Sequence, residues 1–336
     1  MLTLADREEI SRYLAAGTQQ KDIAAAVGRS PSVVSREIGR HGGRRAYRAH
    51  RADTGARKSR KRPKCRKIDA DPELRDRVVC DLRRAWSPQQ ISGRLCYERN
   101  RGETHMSISH EAIYTYLYAL PKGELAAMQI ALRTGRTRRQ PRGRARSKGA
   151  RIVGMTSISQ RPAEAGGRKV PGHWEGDLVI GKQGKTAMGT LVERKSRYLV
   201  PVALPEGRDS AAVCDSVIDS VKDMPAGLLR SITRDQGAEM AQHAALTLKT
   251  DIPVYFAHAH SPWERGTNEN TNGLLREYFP KGTDITGDIR YLNTVADEIN
   301  GRPRAILGFR TPAEVFAELL LADNSGDDLS SIASTG

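Results

Sequence analysis

Apolar positions along the chain change their period twice. From Asp6 to Ile38 they recur at helical spacing. Ile10, Tyr13 and Leu14 share one face, then Ile23, Ala24 and Val27, then Val33, Val34 and Ile38. Gly17 and Gly28 end the first two runs, and Ser30 followed by Pro31 opens the third. Three short helices joined by glycine-containing turns match the helix-turn-helix plan, whose later helix enters the major groove. Ser32, Ser35, Arg36 and Arg40 on that helix are the candidate DNA contacts; a tri-helical protein-interaction module is the alternative. Helical spacing resumes at Leu74, Val78, Val79 and Leu82, with Ser87-Pro88 and Ser109 opening two further helices. This predicts a second helix-turn-helix-like module over 69–122, or a plain helical spacer. Tyr114 and Tyr118, four apart on its last helix, are expected to pack rather than to stack on bases.

From His173 the period shortens to that of strands. Trp174–Ile180, Met188–Arg194 and Tyr198–Leu204 are short apolar runs separated by turn residues. A helix over Ser210–Val221 follows, then a strand from Leu229 that ends at Asp235, a helix over Glu239–Leu248, a strand over Val254–Ala257 and a helix over Thr267–Tyr278. Three strands, helix, strand, helix, strand, helix predicts a mixed α/β sheet. The fold class is therefore multidomain, with all-α modules in front of an α/β domain.

Charge sharpens the boundary between the two. The net charge of the 336 residues is +16. Residues 1–151 hold 35 Lys and Arg against 15 Asp and Glu, whereas the remainder holds 20 against 24. A polyanion-binding front half and a nearly neutral back half follow from that split. Two stretches concentrate the basicity. Residues 46–68, with Arg57, Arg60 and Lys61, read as a basic linker lying along phosphates. Residues 123–160, with Arg138, Arg139, Arg142 and Arg144, read as a flexible basic tether. The α/β domain is then expected over 161–322 and a disordered polar tail over 323–336. The four cysteines lack Cys-x-x-Cys spacing and read as reduced thiols. With no apolar run of ~18 residues, a cytoplasmic, nucleoid-associated protein is expected.

Three separated acids stand out in the back half. Asp177 falls inside the first strand, Asp235 at the end of the fourth, and Glu269 one turn into the last helix, with thirty-three residues between it and Asp235. If the first and fourth strands are neighbours, the two aspartates converge. Converging carboxylates repel unless a cation lies between them, and two Mg²⁺ or Mn²⁺ ions about 4 Å apart suit phosphoryl transfer. Glu175 lies on the same strand face as Asp177 and competes for the first position; Glu264 competes for the third. His258 and His260 could suggest a metal pair, but packing near the sheet edge is the expectation. Trp263 is placed either to wedge against DNA or to pack its loop.

The motifs His173-Trp-Glu-Gly-Asp-Leu-Val-Ile-Gly181, Gly189-Thr-Leu-Val-Glu-Arg-Lys-Ser-Arg-Tyr198, Thr233-Arg-Asp-Gln-Gly-Ala-Glu-Met240 and Ser261-Pro-Trp-Glu-Arg-Gly-Thr-Asn-Glu-Asn-Thr-Asn-Gly-Leu-Leu-Arg276 resemble those of the IS30 family of bacterial insertion-sequence transposases. So do Ser32-Val-Val-Ser-Arg-Glu-Ile38 and the run from Asn300 to Phe316. The resemblance spans about residues 3–320. It implies a DDE transposase with an RNase H-like, integrase-type core and Asp177, rather than Glu175, as first ligand. It also implies a basic residue seven positions after the catalytic glutamate. From Glu269 that position is Arg276, whereas from Glu264 it is Thr271, so Glu269 is favoured. Arg276 then becomes a candidate phosphate contact, with Asn272 on the same face. Arg234 and the Ala305-Ile306 pair depart from the family pattern, away from the carboxylates.

The implied activity is Mg²⁺-dependent cleavage at terminal inverted repeats and joining of 3′-hydroxyls to target DNA. Double-stranded DNA and further copies of this chain, at least a homodimer, are the expected partners. A repressor with a non-catalytic dimerising core, and a nuclease that cuts without joining, are the rival readings.

Overall fold

The computed structural model describes residues 2–61, 65–121, 123–124, 154–237, 240–258 and 261–325. Packing divides the chain at Arg66, into residues 1–66 and 67–336.

The described residues of the first unit form α1 (Leu4–Ala15), α2 (Gln20–Ala26), α3 (Pro31–Arg40), α4 (Gly43–Ala46) and α5 (Ala49–Lys61). α1 starts in a capping box, in which the Thr3 hydroxyl accepts from the Asp6 amide and the Asp6 carboxylate accepts from the Thr3 amide. Ile10, Ile23, Val34 and Ile38 make the core, as their spacing predicts, together with Tyr47 and Ala52. Those last two residues correct the reading of 46–68 as a linker. α5 covers most of that stretch and packs on α1. The physical reason is a buried ion group. Arg7 on α1 pairs with Glu37 on α3 at 2.7 Å and with Asp53 on α5 at 3.1 Å. A buried guanidinium without acids would be strongly unfavourable, and Asp53, an isolated acid among the basic residues, supplies one.

The second unit begins with α6 (Lys67–Ala70), α7 (Pro72–Arg83), α8 (Pro88–Asn100) and α9 (His110–Ala119). Asp71, Ser87 and Ser109 cap α7, α8 and α9 through their side chains. Tyr114 and Tyr118 stack on each other on α9, but Tyr118 is 75% exposed, so the expected packing stops at the pair.

Here the predicted boundary also moves. This helical module is part of the same unit as the sheet, because α8 docks on residues 303–314. Arg94 forms a two-pronged pair with Glu314 at 2.7 and 2.6 Å, and Gln90 donates to the Pro303 carbonyl at 2.9 Å. Gly93 lies so close to the Phe309 ring that a Cβ would sit 2.1 Å from it. Most of the predicted tether, including Arg138, Arg139, Arg142 and Arg144, lies outside the described residues. Its end does not stand apart from the sheet, however, since Thr156–Ser157 forms a strand.

The strands among the described residues are β1 (Thr156–Ser157), β2 (His173–Ile180), β3 (Ala187–Glu193), β4 (Leu199–Ala203), β5 (Ser231–Arg234) and β6 (Val254–Phe256), in the order β1-β6-β5-β2-β3-β4. β2, β3 and β4 form an antiparallel meander, while β5 and β6 run parallel to β2 and β1 runs parallel to β6. This is the mixed sheet that the pattern predicts. The helices are α10 (Ala163–Gly166), α11 (Ser210–Val221), α12 (His243–Thr250), α13 (Gly266–Tyr278), α14 (Ile289–Asn300) and α15 (Pro312–Ser325). Even-numbered Trp174 on β2 joins Ile232, Val213, Val217 and Phe316 in one core. Odd-numbered Val179 joins Leu274 and Leu275 of α13 and Ile299 of α14 in the other. Strand alternation thus assigns residues 173, 175 and 177 to the face covered by α13.

Candidate active site

Register brings the two aspartates together. β2 and β5 pair His173 with Ser231 and Glu175 with Thr233; two residues on, the same offset sets Asp177 beside Asp235. Asp177 Oδ1 accepts from the Leu178 amide at 2.9 Å, and Oδ2 accepts from the Asn272 side chain at 2.8 Å. The Arg265 guanidinium lies between the carboxylates, 3.5 Å from Asp177 Oδ1 and 3.3 Å from Asp235 Oδ2. Asp235 Oδ1 is buried and accepts no hydrogen bond among the described residues. Burial pushes the Asp177 carboxyl above its ordinary range; the charge of Arg265 opposes that rise and Asp235 adds to it.

Glu269 lies on α13 one turn before Asn272, hence on the same face, and is exposed. Among the described residues it makes no hydrogen bond or ion pair, and no three His, Cys, Asp or Glu converge closely enough to hold an ion. The structure therefore joins Asn272 to Asp177 directly, links Asp177 to Asp235 through Arg265, and leaves Glu269 on the adjoining surface. Arg276, one turn past Asn272, donates to the carbonyls of Ile180 at 3.0 Å and Phe279 at 3.3 Å, tying α13 to the end of β2. Trp263 belongs to the 3-10 turn Pro262–Arg265 that leads into α13.

The two competing glutamates are engaged elsewhere. Glu264 accepts from the backbone amide and from Nδ1 of His258, both at 2.8 Å. His258 is exposed and clips this loop, and its Nε2 also lies 3.4 Å from the hydroxyls of Ser157 on the edge strand β1 and of Ser159 just beyond it, near the sheet edge as expected; His260 lies outside the described residues. Glu175 is wholly buried. Its Oε1 accepts from Arg194 at 2.9 Å and its Oε2 from the amides of Thr267 and Asn268, each at 3.0 Å. α13 begins at Gly266 with Arg265 in the capping position and no side-chain cap of its own, so Glu175 supplies the missing acceptor from β2. A helix start without Ser, Thr, Asp or Asn was the sequence signal for a remote acceptor. Nothing comparable marked Arg265 or Arg194.

In the first unit Ser32, Ser35, Arg36 and Arg40 are all exposed on α3, opposite Val34, Glu37 and Ile38. Arg57 and Arg60 are exposed on α5, Arg57 paired with Asp53 at 2.7 Å. Lys61 ends α5, and its side chain lies outside the described residues.

Residues 1–41 match the family model for a helix-turn-helix domain. The chain is 43% identical over 320 residues to the transposase InsI of insertion sequence element IS30A of Escherichia coli (strain K12), covering 94% of this chain and 82% of that protein. It belongs to the IS30 family of transposases. The transposase of element IS1086 of Cupriavidus metallidurans is 40% identical, with 94% of each chain covered, and that of IS4351 of Bacteroides fragilis is 32% identical. Among solved structures the catalytic core domain of BIV integrase covers 46% of this chain and 97% of its own, at 17% identity and a TM-score of 0.35. The four cysteines of this transposase are free, Cys214 buried and Cys65, Cys80 and Cys96 exposed. No helix among the described residues is long and apolar enough to cross a membrane.

Proposed function

We propose that this transposase binds the terminal inverted repeats of its own element, cleaves the element ends and joins the freed 3′-hydroxyls to target DNA, at a site built on Asp177, Asp235 and Glu269. The observation that carries the reading is the sharing of one guanidinium by Asp177 on β2 and Asp235 just past the end of β5. Two carboxylates from strands far apart in sequence face each other, with a single guanidinium between them. Such a pair suits a cation, and the buried Asp235 Oδ1 has no donor among the described residues to satisfy it. An all-oxygen donor set fits a hard divalent cation, Mg²⁺ or Mn²⁺, and Glu269 is the residue that would complete it. Held by Asp177, Asp235 and Glu269, such ions would supply activation of the attacking oxygen and charge stabilisation at phosphorus.

The surrounding residues supply the geometry. The Leu178 amide fixes one oxygen of Asp177 and Asn272 the other, so that carboxylate is oriented before anything binds. Glu175 holds the start of α13, and with it the helix that carries Glu269 and Asn272. Arg276 can reach a phosphate only by exchanging its two carbonyl partners. Trp263 would flank the bound strand from the turn before α13. In front, Ser32, Ser35, Arg36 and Arg40 would read the groove, with Arg57, Arg60, Lys61 and the 123–160 stretch on phosphates. Two element ends brought together imply at least two copies of the chain.

The test uses end-containing DNA and Mg²⁺ with the full chain. Asp177→Asn and Asp235→Asn should abolish both nicking and strand transfer, and unchanged nicking by either would reject the site. Cleavage by the native chain with no joined product, under conditions that pair two ends, would point to a nuclease instead.

A further inference from the structure

We infer that Arg265 is the internal cation of this active site. It holds Asp177 and Asp235 together before metal binds and is displaced when metal arrives. The inference rests on the metal-site reading above, which does not itself assign Arg265 a role.

The geometry is that of a provisional partner. The guanidinium reaches both aspartates, but at 3.5 and 3.3 Å, and its third contact, to the Gly176 carbonyl, is also 3.3 Å. Charge-assisted bonds of permanent pairs are shorter, about 2.7–2.9 Å. Arg94 with Glu314 at 2.6 and 2.7 Å, and Arg194 with Glu175 at 2.9 Å, show that this protein makes such bonds where it needs them. Arg265 Nε is buried and has no partner among the described residues, so even its own donors are incompletely used.

Its place in the chain permits movement. Arg265 closes the 3-10 turn and stands just ahead of the first turn of α13, at φ −123° and ψ 37°, outside regular helix. Swinging its side chain away breaks no helical hydrogen bond, and the loop before it stays clipped by Glu264 and His258.

Charge gives the direction. One guanidinium sets a single positive charge against two carboxylates, at distances above 3 Å. A Mg²⁺-sized ion brings two charges to about 2.0–2.1 Å from the same oxygens. Arg265 and metal therefore compete for one set of oxygens, and by linkage each weakens the other. The residue positions the two strand ends while the site lacks metal, and it raises the metal concentration needed to fill it. It is a positioning residue rather than a catalytic one.

The experiment uses the full chain without DNA, so turnover does not enter. Mn²⁺ binding is followed by the paramagnetic resonance of the free ion, and thermal unfolding is followed in EDTA. Arg265→Gln should tighten Mn²⁺ binding roughly tenfold and lower the unfolding midpoint in EDTA. Arg265→Lys should lie between it and the native chain. Adding Asp177→Asn to Arg265→Gln should restore the midpoint by removing the repulsion. A purely structural arginine would give a lower midpoint with unchanged or weaker Mn²⁺ binding, and that result would overturn the inference. Mn²⁺ binding that ignores both Asp177→Asn and Asp235→Asn would count against the metal site itself. The midpoints in EDTA would then decide on Arg265 as a charge holder by themselves.

Discussion

Glu175 and Asp177 stand two residues apart on the same face of β2, and each meets an arginine, yet their surroundings are opposite in kind. Glu175 is wholly buried, and both its oxygens are bonded, to Arg194 and to two backbone amides at the start of α13. The side chain of Asp177 is 24% exposed, and its arginine stands back at 3.5 Å, shared with an aspartate that is itself 41% exposed. The first arrangement is closed and serves the fold. The second is open, keeps charge of one sign in excess, and is the site proposed for chemistry. His173, two residues earlier on the same face, extends the series. It is buried and neutral, bonded through Nδ1 to Ser231 at 2.8 Å. Along five residues one strand face passes from structural polar contacts to the proposed site, with α13 covering the change.

The comparison can be broken most directly at Asp177. Asp177→Asn should lower end cleavage by roughly 10³-fold or more, because several kcal/mol of charge stabilisation are lost at about 1.4 kcal/mol per factor of ten. Its unfolding midpoint in EDTA should not fall, since a repelling charge has been removed. Glu175→Gln should do the reverse, destabilising the chain in urea by about 3 kcal/mol or more through an unpaired buried Arg194. A Glu175→Gln chain as stable as the native one would erase the distinction.

His173 gives the pH dependence. Burial takes its imidazole from 6.5 down to about 4, while Glu164 pulls the other way and Arg194, Arg230 and Arg161 reinforce the fall. The unfolded chain takes up a proton below pH 6.5 that the folded chain refuses until about pH 4. Stability present above 6.5 should therefore fall as pH drops towards 4, by on the order of 3 kcal/mol. His173→Asn, which retains a group able to pair with Ser231, should flatten that part of the urea-midpoint profile. Smallest is Asn272→Ala. Loss of its bond to Asp177 Oδ2 should reduce cleavage by about 10- to 100-fold with little change in stability.

Much of this was readable in advance, and the unread parts share a cause. Alternation placed β2 to β4, helical spacing placed α1 to α3 and α7 to α9, and Ser87 and Ser109 marked true caps. The stretch 46–68 was misread because its composition is dominated by surface arginines, whereas its fold depends on Ala52, Asp53 and Tyr47 meeting α1 and α3. The union of the helical module over 69–122 with the sheet is not legible in the sequence, because nothing local shows that Gly93 accommodates Phe309 or that Arg94 meets Glu314. α14 and α15 lay beyond the elements the pattern resolved.

By itself the sequence determined the local quantities: which residues alternate, which face of a helix is apolar, where acids fall along strands, and the family to which the motifs point. These depend on neighbours within a few residues, where backbone geometry is fixed by the element. Only the tertiary structure decided what each charged group is bonded to. Glu175 and Asp177 are indistinguishable by periodicity, since both are acids on one strand face. A helix start more than ninety residues away closes the first, and Arg265 with Asp235 leaves the second open. The energy of a charge is set by its partners and its exposure, and neither is a property of the chain until it has folded.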